Sequence, residues 1–405
     1  MTFRLLPNNR IKKIILVMLY KHFEKKDYVA FDIDLIKKSG YEVEIWDFCN
    51  LKYNYRIELP VNAYEGNEIL YFSSIEQIGK YFQQNKIKNV FFIIYPGEGL
   101  DFISYYVRKK IKQNNGKYAN YYYPATIHTS IQEVYHKNII NIAREYLLQW
   151  KNNPYKAYKD IQCIKNSSIY PSTYEFLQGQ ACYERVCNKF IRNSKKCKVL
   201  HSFDYDAHIR EQGEKNVYSS KYAVFIDEYN TGHSDFKKMG IHPPISDDKK
   251  YFEELNTLFK VIEKKYSLEV IIALHPKAEY IGNPFEGRKM YLYKTHELIK
   301  NCSLCILHTS TCFPYILYCK KPYLQVMTSE LIQNEAYYSE MKQYEKYGYS
   351  KIVETQDINI DNIESYVNFY DENKHKKYIN YYMNPYNDSD KLNMAIICEY
   401  IDKIR

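Results

Sequence analysis

The chain of 405 residues has no stretch approaching the ~20 consecutive apolar residues that a membrane-spanning helix needs, which excludes a helical span. The opening segment has an apolar core of about seven residues, "IILVMLY", and no small-residue cleavage site follows it. It reads as a first β-strand and not a secretory signal. The protein is therefore expected in the cytoplasm, with its ten cysteines as thiols. Cys302 and Cys305 have CxxC spacing, but no second such pair and no histidine pair at zinc-finger spacing accompanies them, so they read as small buried side chains. Internal repeats and long low-complexity linkers are lacking as well. The glycines of "FFIIYPGEGLDF", Gly97 and Gly99, do not have the GxGxxG spacing of a dinucleotide site. No DxD stands at a strand end in the second half. The "DYD" of Asp204–Asp206 has that spacing but lies between the expected domains, so no divalent metal is expected.

What remains is an ordinary globular composition, 45% hydrophobic and 26% charged, in a chain longer than one core usually serves; two domains are expected. The 46 tyrosines accompany many Lys, Ile and Asn, all with A/T-rich codons, and are not read as a nucleic-acid stacking surface. A formal net charge of +9, spread along the chain, suits a protein that handles anions: a nucleotide, an acidic glycan or an anionic membrane face.

Short apolar runs alternate with amphipathic stretches. Strands are expected at Ile14–Leu19, Glu42–Asp47, Asn89–Tyr95, Lys117–Tyr123 and Lys198–His201, and residues 131–196 read as mostly helical. A second series starts at "KYAVFID" and runs through a helix over 249–265, a strand Leu268–Leu274, a helix over 295–301 and a strand Ser303–His308. A helix over 312–319, a strand near Pro322–Met327 and a helical tail complete it. Such alternation predicts parallel strands with crossover helices. The expected fold is α/β, with two Rossmann-like domains, 1–215 and 216–405, facing one another across a cleft. Ligands of open α/β sheets sit outside the carboxyl ends of the strands.

Four polar clusters fall at such ends. In "EVIIALHPKAEY", Pro276 stops the strand and holds His275 there, followed by Lys277. His275 can donate to, or protonate, a departing phosphate, or can simply satisfy a backbone carbonyl. In "CILHTSTCFPYIL", Thr309, Ser310 and Thr311 lie between strand and helix, where backbone N–H groups favour an anion; the same residues also suit a helix cap. "VFIDEYNTGHSDF" concentrates Asp227, Glu228, His233 and Asp235, either as a proton acceptor for a hydroxyl or as a solvated acidic loop. In the first half, Glu98 or Asp101 of "PGEGLDF" would project from the strand end. Arg288 of "FEGRKM" is a further candidate cation.

The order of "FID", "HPK" and "HTSTCFPYILYCKKP" over about residues 200–330 resembles the second domain of GT-B glycosyltransferases, most of all bacterial sialyltransferases and Kdo transferases. It is also similar to proteins of surface-polysaccharide clusters carrying "DYD", "FID", "HP", "ST" and "KP". The resemblance implies a donor that is an acidic sugar linked to CMP, with His275, Pro276, Ser310 and Thr311 on its phosphate and Lys277, Arg288 and Thr309 beside them. It implies an acidic residue that activates the acceptor; the two carboxylates and glycine of the sialyltransferase motif are absent, leaving Asp227 or Glu98 for that role. The expected activity is transfer of a nonulosonate- or Kdo-like sugar from CMP to a glycan or lipid-linked acceptor, without a cofactor or nucleic acid and with at most peripheral membrane contact. The alternatives are a transferase using CDP-glycerol or a UDP-sugar, an epimerase of the same fold, or a non-catalytic envelope scaffold.

Overall fold

The computed structural model describes residues 10–404 apart from 53–57, 61, 98–101, 125–146, 148–150, 152–169, 188–195, 212–217, 219, 234–235, 237–241, 347 and 384–389. The described strands make two all-parallel sheets. The first contains β1 (Lys13–Met18), β2 (Glu42–Asp47), β3 (Ile69–Tyr71), β4 (Val90–Tyr95), β5 (Lys117–Tyr121), β6 (Tyr174–Gln178) and β7 (Cys197–Leu200), in the order β3-β2-β1-β4-β5-β6-β7. The second contains β8 (Tyr222–Ile226), β9 (Glu269–Leu274), β10 (Met290–Leu292), β11 (Leu304–Leu307), β12 (Tyr323–Met327) and β13 (Ile352–Glu354), in the order β10-β9-β8-β11-β12-β13.

Both cores follow from the strand sequences. "VFFIIY" and "YAVFI" have no polar alternation and are buried along their whole length, as strands covered by helices on both faces must be. In the second unit the helix Asp248–Tyr266 starts where the Asp247 side chain accepts the Lys250 N–H at 3.1 Å. It places Tyr251, Leu255, Leu258, Phe259 and Ile262 on one face, packed with Phe225, Val270 and Ile272 of the sheet.

The chain divides at Asp206/Ala207: Ala207–Asn384 belong to the second unit, and Pro385–Arg405 return to the first. The tail expected in the second domain is therefore part of the first. The helix Asn393–Asp402 buries Met394, Ile397, Cys398 and Ile401 in the same core as Ile33 and Ile36, each worth about 2 kcal/mol. Asp206 anchors the start of this helix, accepting the Asn393 N–H at 2.9 Å and His201 Nε2 at 2.7 Å. That use of Asp206 also accounts for half of the "DYD" sequence.

The region 131–196 contains a strand where helix was expected. β6 has the sequence "YEFLQ" and is followed at once by Gly179, at φ +80, and a helix Gly179–Cys187. Glu175 looks like a solvent-facing residue but is buried, accepting from Asn120 Nδ2 at 3.0 and 3.2 Å, Tyr122 Oη at 2.9 Å and the Ser172 hydroxyl.

Candidate functional site in the second unit

The second sheet winds one way from β8 to β9 and β10, then the other way to β11, β12 and β13. Its switch point lies between β8 and β11, where open α/β sheets leave a crevice at their carboxyl ends. The loops leaving β8, β9 and β11 carry the clusters picked from the sequence.

Asp227 is 3% exposed, and both of its carboxylate oxygens are committed. Oδ1 accepts the Tyr229 N–H at 3.0 Å and the Tyr280 hydroxyl at 2.9 Å; Oδ2 accepts the His275 N–H at 3.2 Å. Burial pushes its pKa up, against the pull of those three donors. The residue expected as a base is thus a buried brace that ties the loop after β8 to the loop after β9.

His275 is half-buried, and its Nδ1 accepts the Lys277 N–H at 3.1 Å across the turn made by Pro276. An Nδ1 acting as acceptor fixes the neutral tautomer with the proton on Nε2, a hydrogen-bond donor. The ring of His233, from the loop after β8, lies 4.6 Å away centroid to centroid, tilted by 60°.

Glu228, beside Asp227, has a different environment. Its Oε2 accepts the Tyr337 hydroxyl at 2.6 Å and the Thr309 hydroxyl at 3.0 Å, with Asn230 Nδ2 at 3.5 Å. Its Oε1 is shut away from solvent and has no hydrogen-bond partner among the described residues. Burial pushes this carboxyl up to about 7, with Glu340 adding to the rise and the hydroxyls resisting it. Because Glu228 follows β8 and Thr309 follows β11, their hydrogen bond spans the switch point. Sequence reasoning placed Glu228 in the acidic cluster but chose its neighbour. It missed Tyr337, one of many tyrosines, on the helix Glu335–Lys346.

The other expected phosphate contacts divide. Ser310 is 7% exposed, and its Oγ accepts the Cys312 N–H at 3.2 Å. The helix Phe313–Tyr318 has only six residues, and its first turn is satisfied internally: Phe313 N–H goes to Ser310 O, Tyr315 N–H goes to Cys312 O, and Pro314 has none. The Ser310 hydroxyl is thus committed to the turn before the helix, whose N-cap residue is Cys312 with no side-chain cap, and Thr309 is engaged with Glu228; only Thr311 of the three is exposed. Arg288 is engaged with other protein groups. Its Nε and Nη2 each lie 2.8 Å from Glu263, its Nη1 donates to Asn256 Oδ1 at 2.9 Å, and its guanidinium lies 5.2 Å from the Phe259 ring centroid. A bidentate, stacked guanidinium with a 9% exposed side chain fixes the helix Asp248–Tyr266 to its neighbouring loop. His308 is a core histidine, 2.6 Å from Val326 O and 3.1 Å from the Tyr251 hydroxyl; burial pushes it down to about 4. Cys302 and Cys305 are buried thiols, their sulfurs 3.3 Å apart. Glu98 and Asp101, the first-half candidates, lie outside the described residues.

No protein-family model and no curated protein matches the sequence. Among solved structures the chain is similar to the wall teichoic acid polymerase TagF, with a TM-score of 0.56 and 12% identity, covering 97% of this chain and 89% of that one. A histidine variant of TagF soaked with CDPG gives a TM-score of 0.50 at 12% identity, covering 98% and 90%. The S. aureus MnaA–UDP co-structure gives 0.47 at 11% identity, covering 96% of each chain. At such identities the likeness to TagF is one of fold, and with the two parallel sheets it defines the class: this chain has the GT-B fold, built of two Rossmann-like α/β units. Among the described residues no helix is long and apolar enough to cross a membrane.

Proposed function

We propose that the second unit binds the cytidine-nucleotide donor of a group transfer at its switch point, and that the group moved is an acidic sugar carried by CMP, of the nonulosonate or Kdo type, passed to a glycan acceptor in the cytoplasm. One observation carries the reading. A carboxyl group poised near neutrality bridges β8 and β11 through Thr309, one residue away from the brace that holds His275. In this mechanism the acceptor oxygen forms a bond to the sugar carbon as the bond from that carbon to the phosphate oxygen breaks. The electron pair stays with CMP, and His275 Nε2–H and Lys277 meet the charge that develops there. The acceptor's proton passes to Glu228 through the half-buried Thr309 hydroxyl, which already donates to Oε2, the role expected of Asp227 or Glu98. No step requires a divalent cation.

A second reading is favoured by the fold likeness to TagF over nearly the whole chain: a CDP-glycerol-type donor, with attack on phosphorus instead of carbon. CMP leaves in both, so the same two residues serve. Release of CMP from each donor class, measured against pH, tests the site. Activity should rise through about pH 7 as Glu228 ionises, and Glu228→Gln should lower it about a hundredfold or more and abolish the rise. Activity of this variant within threefold of wild type would remove Glu228 from the chemistry.

A further inference from the structure

Resting on that reading, we propose that His233 is a second imidazole of the donor site, acting with His275 as a pair on the phosphate of the departing nucleotide, and that Asp227 is the positioning residue that sets the pair.

The argument begins with how the two rings are held. His275 is fixed by its own N–H on Asp227 and by the Lys277 N–H on its Nδ1. The loop bearing His233 closes as a tight turn, with the N–H groups of Gly232 and His233 both on Tyr229 O, at 3.1 and 3.0 Å. Tyr229 sits at φ +51, and a Cβ on Gly232 would come within 2.7 Å of the Tyr229 hydroxyl, so the turn admits no side chain at 232 without a shift. The Tyr229 N–H is on Asp227, and the Tyr229 ring stands edge-on to Tyr280 at 4.9 Å, whose hydroxyl is again on Asp227. One buried carboxylate therefore orders both loops and, through them, the 4.6 Å approach of the two imidazoles. Two rings on separate flexible loops would spend conformational entropy to meet; here that cost is met in folding.

With the Lys277 N–H on its Nδ1, His275 presents a neutral Nε2–H donor, and the second imidazole beside it adds a donor whose protonated form a dianion favours. The ligand class is accordingly a phosphate monoester dianion, such as the CMP produced when the donor bond breaks. During transfer the phosphate oxygen gains the electron pair from the broken bond and receives a hydrogen bond or proton from the pair; the acceptor's own proton leaves separately to Glu228. Among the described residues, the charged and titratable groups around these loops include Asp227, Glu228, Lys277, Glu279, Asp248, Tyr229, Tyr251 and Tyr280.

The test is calorimetric titration of the full chain with CMP and with cytidine, which lacks the phosphate, on wild type, His233→Ala, His233→Gln, His275→Ala and the double alanine variant. The expected result is about tenfold weaker CMP binding for each single variant, as for loss of one charge-assisted hydrogen bond, with cytidine unchanged. The double variant should bind CMP less than threefold more weakly than His275→Ala, since the rings act as a unit. In imidazole NMR titrations CMP should raise the His233 pKa in wild type, and less so in His275→Ala. Wild-type affinity for CMP in both His233 variants, or an equal loss for cytidine, overturns the pair while leaving the donor site standing. A wild-type protein that does not bind CMP overturns both.

Discussion

The two sheets are wound in the same order, yet their switch points are equipped differently. In the first unit the switch falls between β1 and β4, and the polar residues near the carboxyl ends of β1 and β2 use their capacity on one another. His22 Nδ1 lies 3.1 Å from Asp47 Oδ2, which also accepts the Phe23 N–H at 2.9 Å, while Asp47 Oδ1 accepts the Cys49 N–H at 2.9 Å. Burial pulls the His22 pKa down, but the hydrogen bonds and charges of Asp47 and Cys49 outweigh it and carry it up to about 10, so the pair is ionic at neutral pH. In the second unit the corresponding crevice holds Glu228, with one oxygen accepting from two hydroxyls and the other lacking a partner among the described residues. A polar group left incomplete in the interior is costly, and that cost is recovered when a ligand supplies the missing partner. The same topology thus carries a closed ion pair in one unit and an unsatisfied carboxyl in the other.

Stability against pH separates the two most strongly. The Glu228 pKa is raised from 4.5 to about 7, so its contribution is whole below about 4.5 and is lost as pH rises to about 7, a change on the order of 3 kcal/mol. His22 is raised from 6.5, so its contribution is whole below 6.5 and is lost as pH rises towards about 10. Urea midpoints for wild type minus Glu228→Gln should fall between pH 4.5 and 7 and then level; those for wild type minus His22→Asn should stay level to 6.5 and fall above it. Trp46, next to Asp47, is buried in the first unit, so its fluorescence reports the His22 effect there. Identical windows for the two variants would erase the contrast.

A second experiment sharpens the boundary between frame and site within the second unit. Arg288→Ala breaks a largely buried, bidentate pair and should cost about 2 kcal/mol of stability, read as a lower urea midpoint. It should leave CMP affinity within twofold. A tenfold loss of CMP affinity without loss of stability would return Arg288 to the phosphate, where the sequence alone had placed it.

That pair illustrates what could be read in advance and what could not. The strands β4, β8, β9 and β11 announce themselves as unbroken apolar runs, and with them the positions of His275 and Thr309 at strand ends. The edge strands β3, β10 and β13 have three residues each and are too short for any periodicity to register. β6 was hidden by Glu175, whose partners Asn120 and Tyr122 lie more than fifty residues away in the chain. The different surroundings of Asp227 and Glu228 were hidden for a similar reason. Adjacent carboxylates at a strand end are equivalent in sequence, and partners distant in the chain, Tyr280 and His275 on one and Tyr337 and Thr309 on the other, give them different surroundings. Arg288 likewise gave no sign of Glu263, Asn256 and Phe259, which immobilise it.

The smallest expected effect concerns Tyr337 and tests the assignment of Glu228 most directly. The Tyr337 hydroxyl is buried and donates to Glu228 Oε2 at 2.6 Å, stabilising the ionised carboxylate. Tyr337→Phe removes this donor while keeping the ring, and Thr309 and Asn230 remain near the same oxygen. The ionised form loses one hydrogen bond worth about 1.5 kcal/mol, so the Glu228 pKa should rise by roughly one further unit. The rise in activity through about pH 7 should then move to about pH 8, with the plateau rate at high pH little changed. A general drop at every pH, with the midpoint unmoved, would mean that Tyr337 supports the fold of the loop and that the group titrating near 7 is another residue, with His233 and His275 the first to examine.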